Sequence, residues 1–210
     1  VKSEDPKEYL YTMPYSTIAK YDVGKRPSTV WPGKEQSPAI KPLATELIDS
    51  VENYVKANGL DPMRYNIEIK CKEGKDEGKN WPEYHEFVDK CMELLLSKNL
   101  GDRLVVQCFD ARALNYMHEK YPQVKLSYLI SKKDTDWDTY MGKLNFTPDW
   151  LSPEFVIVDQ TMVDNCRKAG IRLVPWTVDN EADIRRILDL HVEAIITNYP
   201  DRVLKISRGY

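Results

Sequence analysis

The 210 residues are 42% hydrophobic and 30% charged, with 33 acidic against 30 basic side chains and a formal net charge of -3. That make-up suits a globular chain and excludes collagen-like or low-complexity character, and the balanced charge leaves no global basic footprint for nucleic acid. No apolar run approaches the roughly 18 to 20 residues a membrane span needs, and Val1-Lys2-Ser3-Glu4-Asp5-Pro6 has no apolar signal-peptide core.

Residues 1–41 are rich in Tyr, Pro, Ser and Lys. Turn formers at Met13-Pro14, Asp22-Val23-Gly24, Arg26-Pro27, Trp31-Pro32-Gly33 and Ser37-Pro38 predict an insertion or surface excursion, with one helical turn near Tyr15 to Lys20. After Pro42, Leu43, Leu47, Ile48, Val51, Tyr54 and Val55 recur at helical spacing, and Asn58-Gly59 closes that helix. From Arg64 onward apolar strands alternate with amphipathic helices. The strands are expected at 65–70, 103–109, 125–130, 154–158, 172–178 and 194–197. Helices are expected at 82–96, 111–120, 137–142, 161–168 and 181–190, with Asp179-Asn180 as an N-cap and Ala169-Gly170 as a stop. This alternation predicts an α/β fold with a parallel sheet.

An open doubly wound sheet and a closed barrel both produce such a pattern. Within Asn66-Ile67-Glu68-Ile69-Lys70, the two isoleucines share one face and the three polar residues the other. A polar face fits a barrel lumen, since doubly wound strands are apolar on both sides. It fits equally an edge strand with a solvated face.

The cysteines Cys71, Cys91, Cys108 and Cys166 lie far apart without Cys-x-x-Cys spacing, and read as buried or half-buried free thiols. The mixed-sign stretch from Lys72 to Lys79 reads as a rim loop. Lys132-Lys133-Asp134 reads as a surface loop that could also face an anion.

Four stretches in order, Asn66-Ile67-Glu68-Ile69-Lys70, Cys108-Phe109-Asp110, Val174-Pro175-Trp176-Thr177-Val178-Asp179 and Ala194-Ile195-Ile196-Thr197-Asn198-Tyr199-Pro200-Asp201, resemble the C-terminal motifs of the glycerophosphodiester phosphodiesterases. Tyr21-Asp22-Val23-Gly24 resembles an insertion in a bacterial branch of that family. The resemblance implies a TIM-type (β/α)8 barrel that hydrolyses glycerophosphodiesters to sn-glycerol 3-phosphate and an alcohol with a divalent cation, Ca or Mg. It implies Glu68 as one of three carboxylate metal ligands, Lys70 beside the phosphate, and Phe109 and Trp176 lining the substrate cleft. The family's catalytic His-Arg-Gly motif, its second catalytic His and its Glu-x-Asp metal ligands have no match. His85, His118 and His191 fall on or beside helices and receive no catalytic role.

The expected organisation is therefore one partial barrel domain over 1–210, lacking the first two strands. Residues 1–41 form an insertion and 42–210 six strand-helix units. A complete barrel takes about 250 residues. Unpaired parallel edges invite a homo-oligomer. Without the missing motifs this chain is expected to be inactive as it stands, the alternative being a non-catalytic phosphate-ligand binding or assembly module with a remnant cleft. The resemblance also implies export to the periplasm or beyond.

Overall fold

Parallel strands in unbroken sequence order dominate the computed structural model, which describes residues 9–25, 35–74 and 77–209. The chain divides into two compact units, one of residues 1–63 and 74–99 and the other of 64–73 and 100–210. Arg26-Pro27, Trp31-Pro32-Gly33 and the middle of the Lys72 to Lys79 stretch lie outside the described residues.

In the first unit the short helix α1 (Tyr15–Ile18) is the expected turn, and α2 (Ala44–Ala57) and α3 (Tyr84–Ser97) are the long elements. Buried Ile48 and Val55 of α2, and Val88, Met92 and Leu95 of α3, repeat at the spacing that places them on one helical face. Lys98 bonds Asp49 at 2.7 Å, tying the end of α3 to α2. Asp22 accepts the amides of Gly24, Lys25 and Ala39, so the insertion motif pins two segments together. A Cβ on Gly24 would stand 1.9 Å from the Ser37 carbonyl oxygen, which is why glycine stands there.

The second unit is a five-stranded parallel sheet of β1 (Tyr65–Glu68), β2 (Leu104–Cys108), β3 (Lys125–Ile130), β4 (Trp150–Pro153) and β5 (Arg172–Leu173), ordered 1-2-3-4-5. A doubly wound sheet reverses its strand order at a switch point, whereas consecutive order is that of a barrel wall. The polar face of β1 fits both patterns, because it lies on the side where Phe109, after β2, meets Trp176, after β5, and β1 is also the sheet's edge strand.

Side-chain alternation explains the two faces. One carries Val106, Cys108, Leu126, Tyr128, Ile130, Leu151 and Leu173, all nearly inaccessible. Against it pack α4 (Ala111–Lys120), on β2 and β3, and α6 (Gln160–Ala169), on β5. Ala113, Leu114 and Met117 of α4 are fully buried, each large side chain stabilising by about 1.5–3 kcal/mol. The other face carries Gln107, Ser127 and Ser152, the three buried polar residues among those described.

Helices α5 (Trp137–Met141), α7 (Glu181–Asp189) and α8 (Pro200–Ser207) complete the unit. Asp110, Asp136, Asp159 and Asn180 cap α4, α5, α6 and α7 by accepting backbone amides of the first turn. Gly170 ends α6 at φ 71°, the left-handed conformation expected of a helix stop.

Three elements differ from expectation. The fourth strand lies at Trp150–Pro153, and 155–157 form a 3-10 turn with Val156 exposed. A short apolar run such as Phe155 to Val158 has no decisive period, so its composition alone misleads. The fifth assigned strand ends at Leu173, although Val174 and Trp176 still donate to Leu151 and Pro153. Residues 194–197 are not a strand, yet Ile196 donates to Pro175 and accepts from Val178, which continues the parallel order. Among the described residues no helix is long and apolar enough to cross a membrane.

Candidate functional site

Barrel chemistry gathers at the C-terminal ends of strands, where loops free the chain from the sheet. Glu68 ends β1 opposite Gln107 of β2. Ile69 donates to the Gln107 carbonyl at 2.9 Å, which extends the register and brings Lys70 level with Phe109. Asn66 donates to the Gln107 amide oxygen at 3.1 Å on the same face. Glu68 and Lys70 form an ion pair of 3.1 Å, with the Glu68 side chain 25% and the Lys70 side chain 79% exposed. The carboxylate is thus held against the wall while the ammonium paired with it stands largely in solvent.

Phe109 and Trp176 meet edge to face, ring centroids 5.5 Å apart. This is a favourable aromatic geometry that fixes both rings. The indole N–H of Trp176 donates to the Ser152 carbonyl at 2.8 Å, and the Trp176 carbonyl accepts from Phe155 at 2.7 Å. Phe109 is 43% exposed and presents an open apolar edge. The structure therefore brings the four expected residues together as two pairs, one charged and one aromatic, at the strand ends.

Gln107, Ser127 and Ser152 contribute to this wall without having been singled out from the sequence, unlike the 132–134 loop and Asp179. Gln107 bridges β1 and β2, and its signal was available as the one amide in Leu104-Val105-Val106-Gln107-Cys108. Ser127 and Ser152 bond at 2.7 Å inside the concave face, a pairing visible only once β3 lies beside β4. Glu154 accepts the Lys132 amide at 2.8 Å and Asp134 accepts from Ser131, so the 132–134 loop folds onto carboxylates. Asp179 accepts from Thr197 and from both nitrogens of Asn198, which locks the exit of the 174–178 segment to the start of α8.

The histidines lie elsewhere. His118 is in the last turn of α4, stacked on Phe146, and His191 follows the end of α7. Helices in a strand-helix unit run back against their strands, so both sit at the end opposite the strand C-termini. His85 lies in the first unit and pairs with Glu83 at 2.9 Å.

A resident Ca or Mg ion takes about six or more oxygens. Glu68 offers one carboxylate, already engaged by Lys70, and among the described residues no three His, Cys, Asp or Glu side chains converge. These residues by themselves do not fit such an ion.

Comparison with known proteins agrees with this architecture. The chain is 30% identical over 120 residues to a glycerophosphodiester phosphodiesterase of Bacillus subtilis (strain 168), covering 56% of this chain and 41% of that protein. It is 24% identical over 126 residues to a protein of that name from Caldanaerobacter subterraneus, covering 60% and 51%. The chain thus spans about half the length of these relatives. A solved phosphodiesterase of Oleispira antarctica, in complex with the product sn-glycerol-3-phosphate, superposes with a TM-score of 0.69 at 21% identity, covering 91% of this chain and 69% of that one. A Silicibacter pomeroyi structure named for the same family gives 0.76 at 22% identity, covering 94% and 69%. The family model for glycerophosphoryl diester phosphodiesterases matches residues 3–202, and the chain belongs to that family of phosphoric diester hydrolases.

Proposed function

We propose that this chain forms the substrate-binding wall of a glycerophosphodiester phosphodiesterase. The wall takes a glycerophosphodiester at the strand-end mouth, with Lys70 against the phosphate and the Phe109–Trp176 pair against its organic part. The observation that carries this reading is an exposed ammonium level, in the extended register, with the ring of an edge-to-face aromatic pair. Hydrolysis to sn-glycerol 3-phosphate and an alcohol needs charge neutralisation, a base and an acid. A Ca or Mg ion, when bound, would supply the first, with Glu68 giving one oxygen and its other ligands coming from outside this cluster of described residues. The histidines at helix ends do not supply the others, so the 210-residue chain binds and does not turn over unaided. A periplasmic or secreted setting accompanies the proposal through the family resemblance.

The alternative, a phosphate-ligand binding module without hydrolytic function, is favoured by the Glu68–Lys70 ion pair, which satisfies both charges without a metal. Titration of Glu68→Gln with sn-glycerol 3-phosphate separates the two. If Glu68 holds the ion, Ca or Mg strengthens binding to the native chain and no longer does so in the variant. Equal cation response in both proteins would overturn the metal role of Glu68.

A further inference from the structure

A cleft of about 550 Å³ continues the site past Phe109, and its volume is in the range that small-molecule sites occupy. Phe109 and Tyr128 line it together with Lys72, Arg112 and Lys143, so aromatic surface and three cations meet in one place. Phe109 also packs on Trp176 in the mouth, which makes it the residue common to the mouth and the cleft.

Two hydrogen-bonded clamps build the far side of this cleft. Asp110, its side chain 9% exposed, accepts the Arg112 amide at 3.0 Å and Nε at 3.1 Å on Oδ1, and Nη2 at 2.7 Å on Oδ2. That forked pairing fixes the plane of the guanidinium. Asn115, a turn further along α4, donates from Nδ2 to the Lys143 carbonyl at 3.0 Å and accepts the Asn145 amide on Oδ1 at 2.9 Å. The 143–145 segment is thereby held to α4, and Lys143 joins the lining.

The charges of the lining do not cancel. Lys72, Arg112 and Lys143 stand with two carboxylates, of which Asp110 already has both oxygens on Arg112. The other, Glu73, has its side chain 79% exposed and lies 3.9 Å from Arg112 Nη1. Lys143, half-exposed, lies 3.7 Å from Asp134. Long, solvated ion pairs of this kind contribute little, so an incoming anion displaces them at small cost.

We propose that this cleft receives the alcohol moiety of the glycerophosphodiester and selects a bulky one that carries its own anionic group, such as a phosphorylated cyclitol. The proposal rests on the binding reading of the mouth: with the phosphate at Lys70, the second ester arm passes the exposed edge of Phe109 into the cleft. Phe109 takes the ring of that arm, and Arg112 and Lys143 donate to its anionic group. The same cations repel a quaternary ammonium, so a choline arm is rejected.

Calorimetric titration of the 210-residue chain with sn-glycero-3-phosphoinositol 4-phosphate, sn-glycero-3-phosphoinositol and sn-glycero-3-phosphocholine tests this selection, with sn-glycerol 3-phosphate as the probe of the mouth alone. Two exposed cation contacts should make the native chain bind the 4-phosphate compound about 25-fold more tightly than the neutral inositol diester, with the choline diester weakest. Lys143→Gln should cut that preference to about fivefold, and Lys143→Arg, which keeps the charge, should retain it. Equal affinity for the three diesters while sn-glycerol 3-phosphate still binds would overturn the cleft assignment and leave the mouth reading standing. A preference that Lys143→Gln leaves intact would do the same. Failure of the native chain to bind sn-glycerol 3-phosphate would remove the mouth, and the proposal with it.

Discussion

Ser127 and Ser152 show how one buried polar pair fixes a strand register. Their hydroxyls bond at 2.7 Å with both residues fully buried, so each satisfies the other where water does not reach. Removing one hydroxyl leaves its partner unsatisfied at a cost of about 1–3 kcal/mol, whereas removing both spares that penalty. Ser127→Ala should therefore destabilise the chain by about 1–3 kcal/mol, and adding Ser152→Ala should cost less than the sum of the single changes in denaturant melts. Additive single effects would show that the pair is not coupled. Such pairs are hard to read in sequence. Ser127 sits among Lys125, Leu126 and Tyr128 with nothing to mark its partner 25 residues away, whereas Glu68 and Lys70 stand out because they are two apart on one strand face.

At the scale of elements, local chemistry was legible wherever a cap met a periodic apolar face. Helix α4 begins after Asp110 and ends at Lys120 as its pattern predicts, and Asn180 and Gly170 bound α7 and α6. Legibility failed where composition lacked a period, as at 155–158. It failed again at α8, whose Pro200 start and buried Ile206 were submerged in the motif ending at Asp201.

The junction before α8 is sensitive to acid. Burial works to raise the Asp179 pKa, but the amide and side chain of Asn198, the Thr197 hydroxyl and the Arg202 charge together hold it below the usual carboxylate value. A carboxylate depressed in the folded state contributes stability that is complete above its unfolded pKa, near 3.8, and is lost as pH falls through the lower folded value. The Tm of the native chain should accordingly fall more steeply below pH 4 than that of Asp179→Asn. Parallel acid limbs in the two melting profiles would remove this junction from the acid response.

Across the whole molecule, the consecutive parallel strands and the family match describe a barrel wall rather than a doubly wound sheet. That distinction could not be drawn from periodicity, because both folds alternate strands and helices. In the sheet β1 is an edge whose alternate backbone groups face away from β2, and such an edge is a template for another strand. We therefore expect light scattering to find either an oligomer or a monomer that binds a hydrophobic dye. A monomer without dye binding would contradict that expectation.

The central claim is that the strand-end mouth binds a phosphate ester through Lys70 beside the Phe109–Trp176 pair. Calorimetric titration of the 210-residue chain with sn-glycerol 3-phosphate, set against Lys70→Ala, measures it directly. An exposed lysine-to-phosphate contact contributes about 1 kcal/mol, so saturable binding by the native chain should weaken about fivefold in the variant. Native binding that Lys70→Ala leaves unchanged, or no native binding at all, would contradict the account.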